Sequence, residues 1–373
     1  MRLGMFMMPV HPPDRMFWRT LAEDSEKSVL ADQLGFDELW LGEHFSATTE
    51  PIPSPMMFFA GILPRTRNIA FGTAVINLPN HHPAIVAAEA AQFDHMSKGR
   101  FMLGVGPGGL VSDFELFNNP DVQARNRMVV EAVDFIQRIW AQDPPYDLQG
   151  EFWQVRLKDG IIPALGVGFM PKPYQTPGPP ISISLASPNS SSARTAALKG
   201  WGMISANIIP TYSVASHWEV YCKACVEAGI APRGENWRVA RNVLVAPSDA
   251  EAHDRVFGDQ GSNRYFYTYM YTYMREVLSR VGLLVILKPR PDMPDEQATV
   301  DAITRECVTY GSPKTVLDKL IAFRERVGPF GTLLMTGLDW GGPNAAWERE
   351  SMHLLAREVM PRFRQHVLAR AAE

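Results

Sequence analysis

The stretch AAQFDHMSKGRFMLGVGPGG, from Ala90 to Gly109, holds the repeating unit of the fold. Its first part closes a run, Ala84 to Met96, in which apolar residues recur at helical spacing. Its middle, Arg100 to Val105, is a short β-rich run, and Gly104 to Gly109 form a glycine-rich turn. The same rhythm recurs on both sides. Further β-rich runs lie at Leu3 to Met8, Glu38 to Gly42, Ile69 to Asn77, Ile181 to Leu185, Met203 to Ala206, Val239 to Ala246 and Thr332 to Gly337. Trp18 to Leu34, which ends at Gly35, and Val122 to Trp140 read as amphipathic helices between them. Repeated βα units imply a parallel sheet, and eight of them predict an α/β fold closed into a (β/α)8 TIM barrel.

Two stretches break the rhythm. Asp143 to Pro180 is rich in Pro and Gly, with a hairpin expected around Gly150. The second, about 258–299, contains YFYTYMYTYM (Tyr265 to Met274) and then the loop Lys288 to Asp295. They are expected as insertions, about 143–180 after strand 4 and about 258–299 after strand 7. With no internal repeat and no Gly/Ser linker, one domain spanning 1–373 is expected.

Composition narrows the function. A chain with 46% hydrophobic and 20% charged residues can bury a sizeable core, and a net charge of −4 offers no basic excess for nucleic acid or an anionic membrane. Apolar runs such as Gly282 to Leu287 fall far short of the roughly 20 residues that span a bilayer. Met1 to Met8 lacks the basic region and cleavage site of a signal peptide, and Cys222, Cys225 and Cys307 form no disulfide framework, so a cytoplasmic location is expected. Cys222 and Cys225 make a CxxC, but it lies within the helical run Trp218 to Ala228 with no second pair, which reads as structural.

In a barrel of this kind, chemistry gathers at the C-terminal ends of the strands. The second strand ends in WLGEHF, with Glu43 and His44; the third ends in INLPNHHP, with Asn77, His81 and His82. The fourth ends in GVGPGGLVSDF, with Asp113 and Phe114 beyond the glycines, and the fifth leads into LASPNSSSART, where Ser187 to Ser192 precede a helix. That serine-rich turn combines free amides with hydroxyls and suits a phosphate, although Ser and Asn also serve as ordinary N-caps. His44 can donate, accept or transfer a proton near neutral pH, although a histidine at a strand end is also a common structural residue. His81 and His82 can cap the helix begun by Pro83. The spacing matches no HExxH zinc site, and there is no GxSxG elbow or Walker loop. GVGPGG does not match a dinucleotide fingerprint and no clear helix follows it, which disfavours a Rossmann domain.

Taken together, GFDELWLGEHF (Gly35 to Phe45), FGTAVINLPNHHP (Phe71 to Pro83), AAQFDHMSKGRFMLGVGPGG, the pair Asp113 and Phe114, and YGSPKTV (Tyr310 to Val316) resemble the luciferase-like flavin-dependent monooxygenases. These include bacterial luciferase and the alkane, alkanesulfonate and limonene monooxygenases. The motifs span most of the chain in the family's order. The resemblance implies that reduced FMN, supplied by a separate reductase, lies across the strand ends. There it reacts with dioxygen to a C4a-peroxyflavin, which passes one oxygen atom to an organic substrate. His44 matches the family histidine beside the flavin, with Glu43 or a backbone group expected to fix its tautomer. Ala74 and Val75 match the segment under the ring, often joined by a non-prolyl cis peptide. Asn77 and Gly106 join the cofactor-binding set, and Ser187, Ser190, Ser191 and Ser192 occupy the phosphate turn. Where bacterial luciferase has a reactive cysteine this chain has Gly106, and Pro107 follows where luciferase has an arginine, so light emission is not the inference.

Phe6, Met8, Phe45, Leu110 and Trp340 are candidates for an apolar cavity and a hydrophobic substrate. Two other readings stay open: a deazaflavin-dependent oxidoreductase on the same barrel, and a flavin-binding subunit without catalysis. A homodimer is expected. Tyr265 to Met274 and its continuation to Asp295 are expected to form a mobile lid, or alternatively a dimerisation helix.

Overall fold

The computed structural model describes residues 1–119, 121–258 and 266–371. Eight strands build the core: β1 (Arg2–Met7), β2 (Glu38–Leu41), β3 (Ala70–Thr73), β4 (Phe101–Gly106), β5 (Ile181–Leu185), β6 (Gly202–Ser205), β7 (Trp237–Val245) and β8 (Thr332–Thr336). Hydrogen bonding runs in the order β7, β8, β1, β2, β3, β4, β5, β6, and a β6–β7 pairing closes the sheet. The fold is the (β/α)8 barrel that the strand count predicts. One principal helix follows each strand: α1 (Phe17–Gln33), α2 (Pro55–Ile62), α3 (Pro83–Ser97), α4 (Val122–Ala141), α5 (Ser191–Lys199), α6 (Thr211–Glu227), α7 (Pro313–Val327) and α8 (Asn344–Leu354).

The strands are buried and largely apolar, because helices outside and packed side chains inside leave neither face to water, and the charged residues they carry gather near their starts or face partners. All nine residues of β7 are buried. β1 meets β8 from Arg2 opposite Thr332 to Phe6 opposite Thr336. That approach requires glycine at position 4, where a Cβ would lie 2.5 Å from Leu334 Cδ2 and 2.8 Å from the Glu38 carbonyl oxygen. The third strand is shorter than expected. Its continuous reading, Ile69 to Asn77, divides into β3 and a separate piece, Ile76–Asn77, which pairs with Val105 and Gly106 of β4.

By contacts the chain divides into two compact units, residues 1–40, 48–50 and 183–373, and residues 41–47 and 51–182. In the first, a charged cluster lies among the first residues of β1, β2, β7 and β8. Glu38 is 2% exposed. It accepts from Arg238 Nε at 2.8 Å and Nη2 at 3.2 Å and from Trp40 Nε1 at 2.7 Å, and it pairs with Arg2 at 3.0 Å. Burial alone would raise its pKa, but the Arg238 and Arg2 guanidiniums outweigh that and hold the carboxyl below the usual range.

The second insertion builds its own apolar core beside β7. Helix Phe266–Arg280 buries Phe266, Tyr267, Met270 and Tyr271 against Leu244, Val256, Leu284, Ile303 and Val308. Asn242 Nδ2 of β7 donates to the Tyr271 hydroxyl at 2.7 Å. Residues 266–274 of the expected lid are helical, and Phe266, Tyr267, Met270 and Tyr271, at helical spacing, point into this core. Tyr265 lies outside the described residues.

In the second unit, Phe59, Phe71, Phe93 and Phe101 pack with ring centroids 5.1–5.9 Å apart. The hairpin expected around Gly150 pairs Tyr146–Gln149 with Gln154–Leu157. The Glu131 carboxylate closes it by accepting the Glu151, Phe152 and Trp153 amides at 2.8, 3.0 and 2.8 Å.

The Glu38 cluster gives a stability prediction. Replacing Arg238 with Met leaves a buried carboxylate short of its principal cation, at an expected cost of roughly 3 kcal/mol or more. The denaturant midpoint should fall accordingly at pH 7, and the double variant Glu38→Gln, Arg238→Met should recover part of the loss. A single variant as stable as the parent would show that the pair does not hold the barrel.

Candidate functional site

One group of site residues lies where β2, β3 and β4 end. Ala74 N–H donates to the Leu41 carbonyl at 2.6 Å, and the Ala74–Val75 peptide is cis, the non-prolyl form that the family resemblance implies. Asn77 N–H donates to Glu43 Oε1 at 3.0 Å, while its side-chain Nδ2 donates to the Glu43 carbonyl oxygen at 3.0 Å. Gly106 is the last residue of β4 and pairs with Asn77. The turn after it is close-packed: Gly108 has φ +83°, and a Cβ there would lie 3.0 Å from Phe114 and 3.5 Å from Asn77.

Glu43 and His44 are neighbours in sequence with different partners. The Glu43 carboxylate is buried and receives His81 Nε2 at 3.0 and 3.1 Å. The expectation that Glu43 sets the tautomer of His44 is thus corrected, because the Glu43 carboxylate is engaged by His81 and the Asn77 amide instead. The carboxylate that meets His44 is Asp113, 2% exposed, with Oδ2 3.4 Å from His44 Nδ1. Asp113 also accepts the amides of Phe45 at 3.3 Å and Ser46 at 2.9 Å, and the Ser46 hydroxyl. Burial pushes its pKa up, but the donors from His44, Ser46 and Phe45 overcome that and keep it low, so the group is ionised. An ionised carboxylate only accepts, which places a proton on Nδ1 of His44. The pair Asp113 and Phe114 stands out in the sequence, but nothing local says that the aspartate faces His44.

The second group is the turn between β5 and α5. Asn189 adopts φ +55°, and Ser190 is the N-cap of α5, with a hydroxyl that makes no capping bond. Ser190 thus holds the N-cap position without a side-chain capping bond, and its hydroxyl lies beside the first amides of α5. Such amides have no intrahelical acceptor and favour an anion.

A hydrogen-bonded chain braces this turn from behind. Trp237 Nε1 donates to Ser205 Oγ at 2.9 Å, and Ser205 Oγ lies 2.9 Å from His217 Nδ1. His217 Nε2 lies 2.9 Å from the Ser187 carbonyl oxygen, an obligate acceptor, so Nε2 carries the ring proton and Nδ1 accepts from Ser205. Asn189 N–H donates to Ser216 Oγ at 2.8 Å. Burial lowers the His217 pKa to about 4. No local signal in the sequence marks His217, which lies mid-helix on α6, 30 residues from Ser187.

Among the described residues no group of three or more His, Cys, Asp or Glu could hold a metal ion, and no helix is long and apolar enough to cross a membrane. Cys222 and Cys225 are free thiols on α6, Cys225 buried.

A sequence profile described as luciferase-like monooxygenase matches residues 1–328. The chain is 32% identical to 4-hydroxyprotoasukamycin monooxygenase of Streptomyces nodosus subsp. asukaensis, over 96% of this chain and 91% of that protein. It is 28% identical to limonene 1,2-monooxygenase of Rhodococcus erythropolis, over 96% and 86%. A solved structure of the oxygenating constituent of 3,6-diketocamphane monooxygenase from Pseudomonas putida, a type II Baeyer-Villiger monooxygenase in complex with FMN, superposes with a TM-score of 0.84 at 26% identity. It covers 97% of this chain and 98% of that one.

His217 makes the brace pH-dependent. Its folded pKa of about 4 lies below the ordinary histidine value of 6.5, so acidification protonates the unfolded chain first. The stabilisation is whole above about 6.5 and is lost as pH falls towards 4, at up to about 1.4 kcal/mol per pH unit. Urea midpoints between pH 7.5 and 4.5 should therefore fall more steeply for the parent than for His217→Gln. Parallel profiles would exclude a neutral, buried His217.

Proposed function

The chain belongs to the luciferase-like monooxygenase family and is a flavin-dependent monooxygenase, and from that premise we propose that it is the oxygenase component of a two-component system. In this reading it takes reduced FMN from a separate reductase and delivers one atom of dioxygen to a small hydrophobic organic substrate. The observation that carries it is His44 held against ionised Asp113, beside the Ala74–Asn77 segment that hydrogen-bonds the end of β2. Likeness to an FMN-bound oxygenating constituent supports the cofactor and the division of labour with a reductase.

The residues present fit FMN. An uncommitted Ser190 hydroxyl and the first amides of α5 form a donor set for a dianionic phosphate. In this reading apolar Ala74 and Val75 would lie under the ring, with Asn77, paired with Gly106 of β4, in the same set. Reduced FMN supplies the electrons that activate dioxygen. The protein's part is to bind, orient and manage protons. With Nδ1–H directed at Asp113, the proton-accepting atom of neutral His44 is Nε2, the atom assigned to exchange a proton with the reacting centre. Glu43 acts indirectly, by fixing Asn77 and His81.

Replacing His44 with Ala should leave folding and FMN affinity nearly intact. Product formation should drop by roughly 100-fold or more, with reduced FMN oxidised to hydrogen peroxide instead. The measurement is product by mass spectrometry against peroxide released, with terpenes, ketones, aldehydes and sulfonates as substrates. Unchanged turnover and coupling would make His44 a packing residue.

Replacing Ser191 and Ser192 together with Asp sets two negative charges against the phosphate and should weaken FMN binding at least tenfold by equilibrium dialysis. Unchanged affinity would move the phosphate elsewhere, and retention of a deazaflavin in preference to FMN would overturn the monooxygenase assignment.

A further inference from the structure

The residues that follow β1 and β8 carry a buried charge network that the proposed reaction does not use. His11, 1% exposed, sits between two carboxylates: its Nδ1 is 2.7 Å from Asp339 Oδ1, just past β8, and its Nε2 is 3.1 Å from Asp24 Oδ2 on α1. Lys27, fully buried one turn further along α1, donates to the Leu338 carbonyl oxygen and lies 3.4 Å from Asp24 and 3.5 Å from Glu348 of α8. Glu348 in turn accepts the Leu338 amide at 2.8 Å and Trp340 Nε1 at 2.5 Å. Arg15 Nε faces Asp339 at 3.3 Å, and a second Arg15 nitrogen pairs with Glu23.

The geometry demands two donors from His11. Both ring nitrogens face carboxylate oxygens, and a neutral imidazole has one N–H, so losing a proton would turn a bare lone pair on a buried carboxylate. It would also leave Asp24 and Asp339 facing, among the described residues, only Lys27 and the partly exposed Arg15, with Lys27 shared with Glu348, whose pKa is raised by burial. The balance of forces agrees: burial would lower the His11 pKa, but the Asp24 and Asp339 carboxylates outweigh it and hold it above 6.5.

The network also reaches helix Phe266–Arg280. Tyr269 donates its hydroxyl to the His11 carbonyl oxygen at 3.2 Å, and the His11 amide donates to the Thr49 carbonyl at 2.7 Å. The Thr49 hydroxyl lies 3.3 Å from that of Tyr273. Val10 and Leu338, which flank the clamp in sequence, lie in the same apolar cluster as Phe266, Tyr267, Met270 and Tyr271. Holding His11 to Asp339 therefore holds two apolar anchors against the aromatic helix.

We infer that His11, clamped between Asp24 and Asp339, is a positioning residue that locks the segments after β1 and β8 onto helix 266–280 and releases them when it loses its proton. These segments lie at the C-terminal ends of their strands, the end where barrel enzymes carry out their chemistry. The sign follows from linkage. The folded protein holds this proton more tightly than the unfolded chain, so the lock is complete below about pH 6.5 and weakens as pH rises through the folded pKa of His11.

The test is hydrogen exchange, followed by mass spectrometry on peptides covering 8–13, 266–280 and 337–343, with rates corrected for intrinsic pH dependence, between pH 6 and 9.5. It needs no flavin or substrate, so its outcome is separate from that of the proposed function. In the parent, the opening constant of all three peptides should be flat at low pH and then rise up to tenfold per pH unit above one common pKa. The double variant His11→Gln, Asp339→Asn removes one charge of each sign and should abolish the rise. The single variant Asp24→Asn keeps His11 but takes away one carboxylate, and should bring the onset down by a pH unit or more. Nitrogen-15 histidine spectra should show His11 doubly protonated at pH 7. A neutral His11 at pH 7, a flat parent profile, an unchanged rise in the double variant, or an onset unmoved in Asp24→Asn would each overturn the inference.

Discussion

Water cannot solvate a charge inside a closed barrel, so an ionised group there needs a partner that the fold itself supplies, often from another strand. Glu38 is the clearest case. Its carboxylate, at the start of β2, is met by Arg238 of β7 and Arg2 of β1, with Thr332 of β8 3.5 Å away. One buried charge thereby engages four strands whose hydrogen-bond registers must agree for all of these contacts to form at once. The apolar cores on either side add most of the stabilisation, but they are tolerant of small shifts, whereas a buried ion pair is not.

The same constraint recurs at the other end of the strands, where carboxylates position histidines. Asp113 holds His44, Glu43 holds His81, and Asp24 with Asp339 holds His11. His217 has no carboxylate and sits between a serine hydroxyl and a backbone carbonyl. The consequence is two buried histidines in opposite states near neutral pH: His11 shifted towards its charged form by two carboxylates, His217 kept neutral by burial. Neither state belongs to the residue type; each follows from what lies within 3.1 Å of the ring.

This division suits the proposed role as an oxygenase component supplied with reduced flavin. The β5–α5 turn, proposed to hold the phosphate, is braced by a neutral hydrogen-bond chain that adds no competing negative charge. The proton transfer proposed for His44 needs a defined tautomer, and ionised Asp113 favours the one with a proton on Nδ1. The insertion after β7 serves as a packed wall, with Tyr269 and Tyr273 as its polar contacts to His11 and Thr49.

Much of this was legible in the sequence because it is written locally. Alternating β-rich runs and helical spacing marked all eight barrel strands, the hairpin at Gly150 and the helices after β1, β3 and β4. The glycine and serine turns marked strand ends, and the ordered motifs marked the family. What the sequence could not disclose were partnerships between distant residues: Glu38 with Arg238, 200 positions apart, Asp113 with His44, 69 apart, and His11 with Asp339, 328 apart. It even suggested the wrong partner for His44, because Glu43 is adjacent in sequence yet its carboxylate meets His81 and the Asn77 amide. The sequence by itself determined the secondary structure, the barrel and the reaction family, since periodicity and turn chemistry act over a few residues. Only the tertiary structure decided which charges meet and which histidines are protonated, because those depend on burial and on distances that closing the barrel creates.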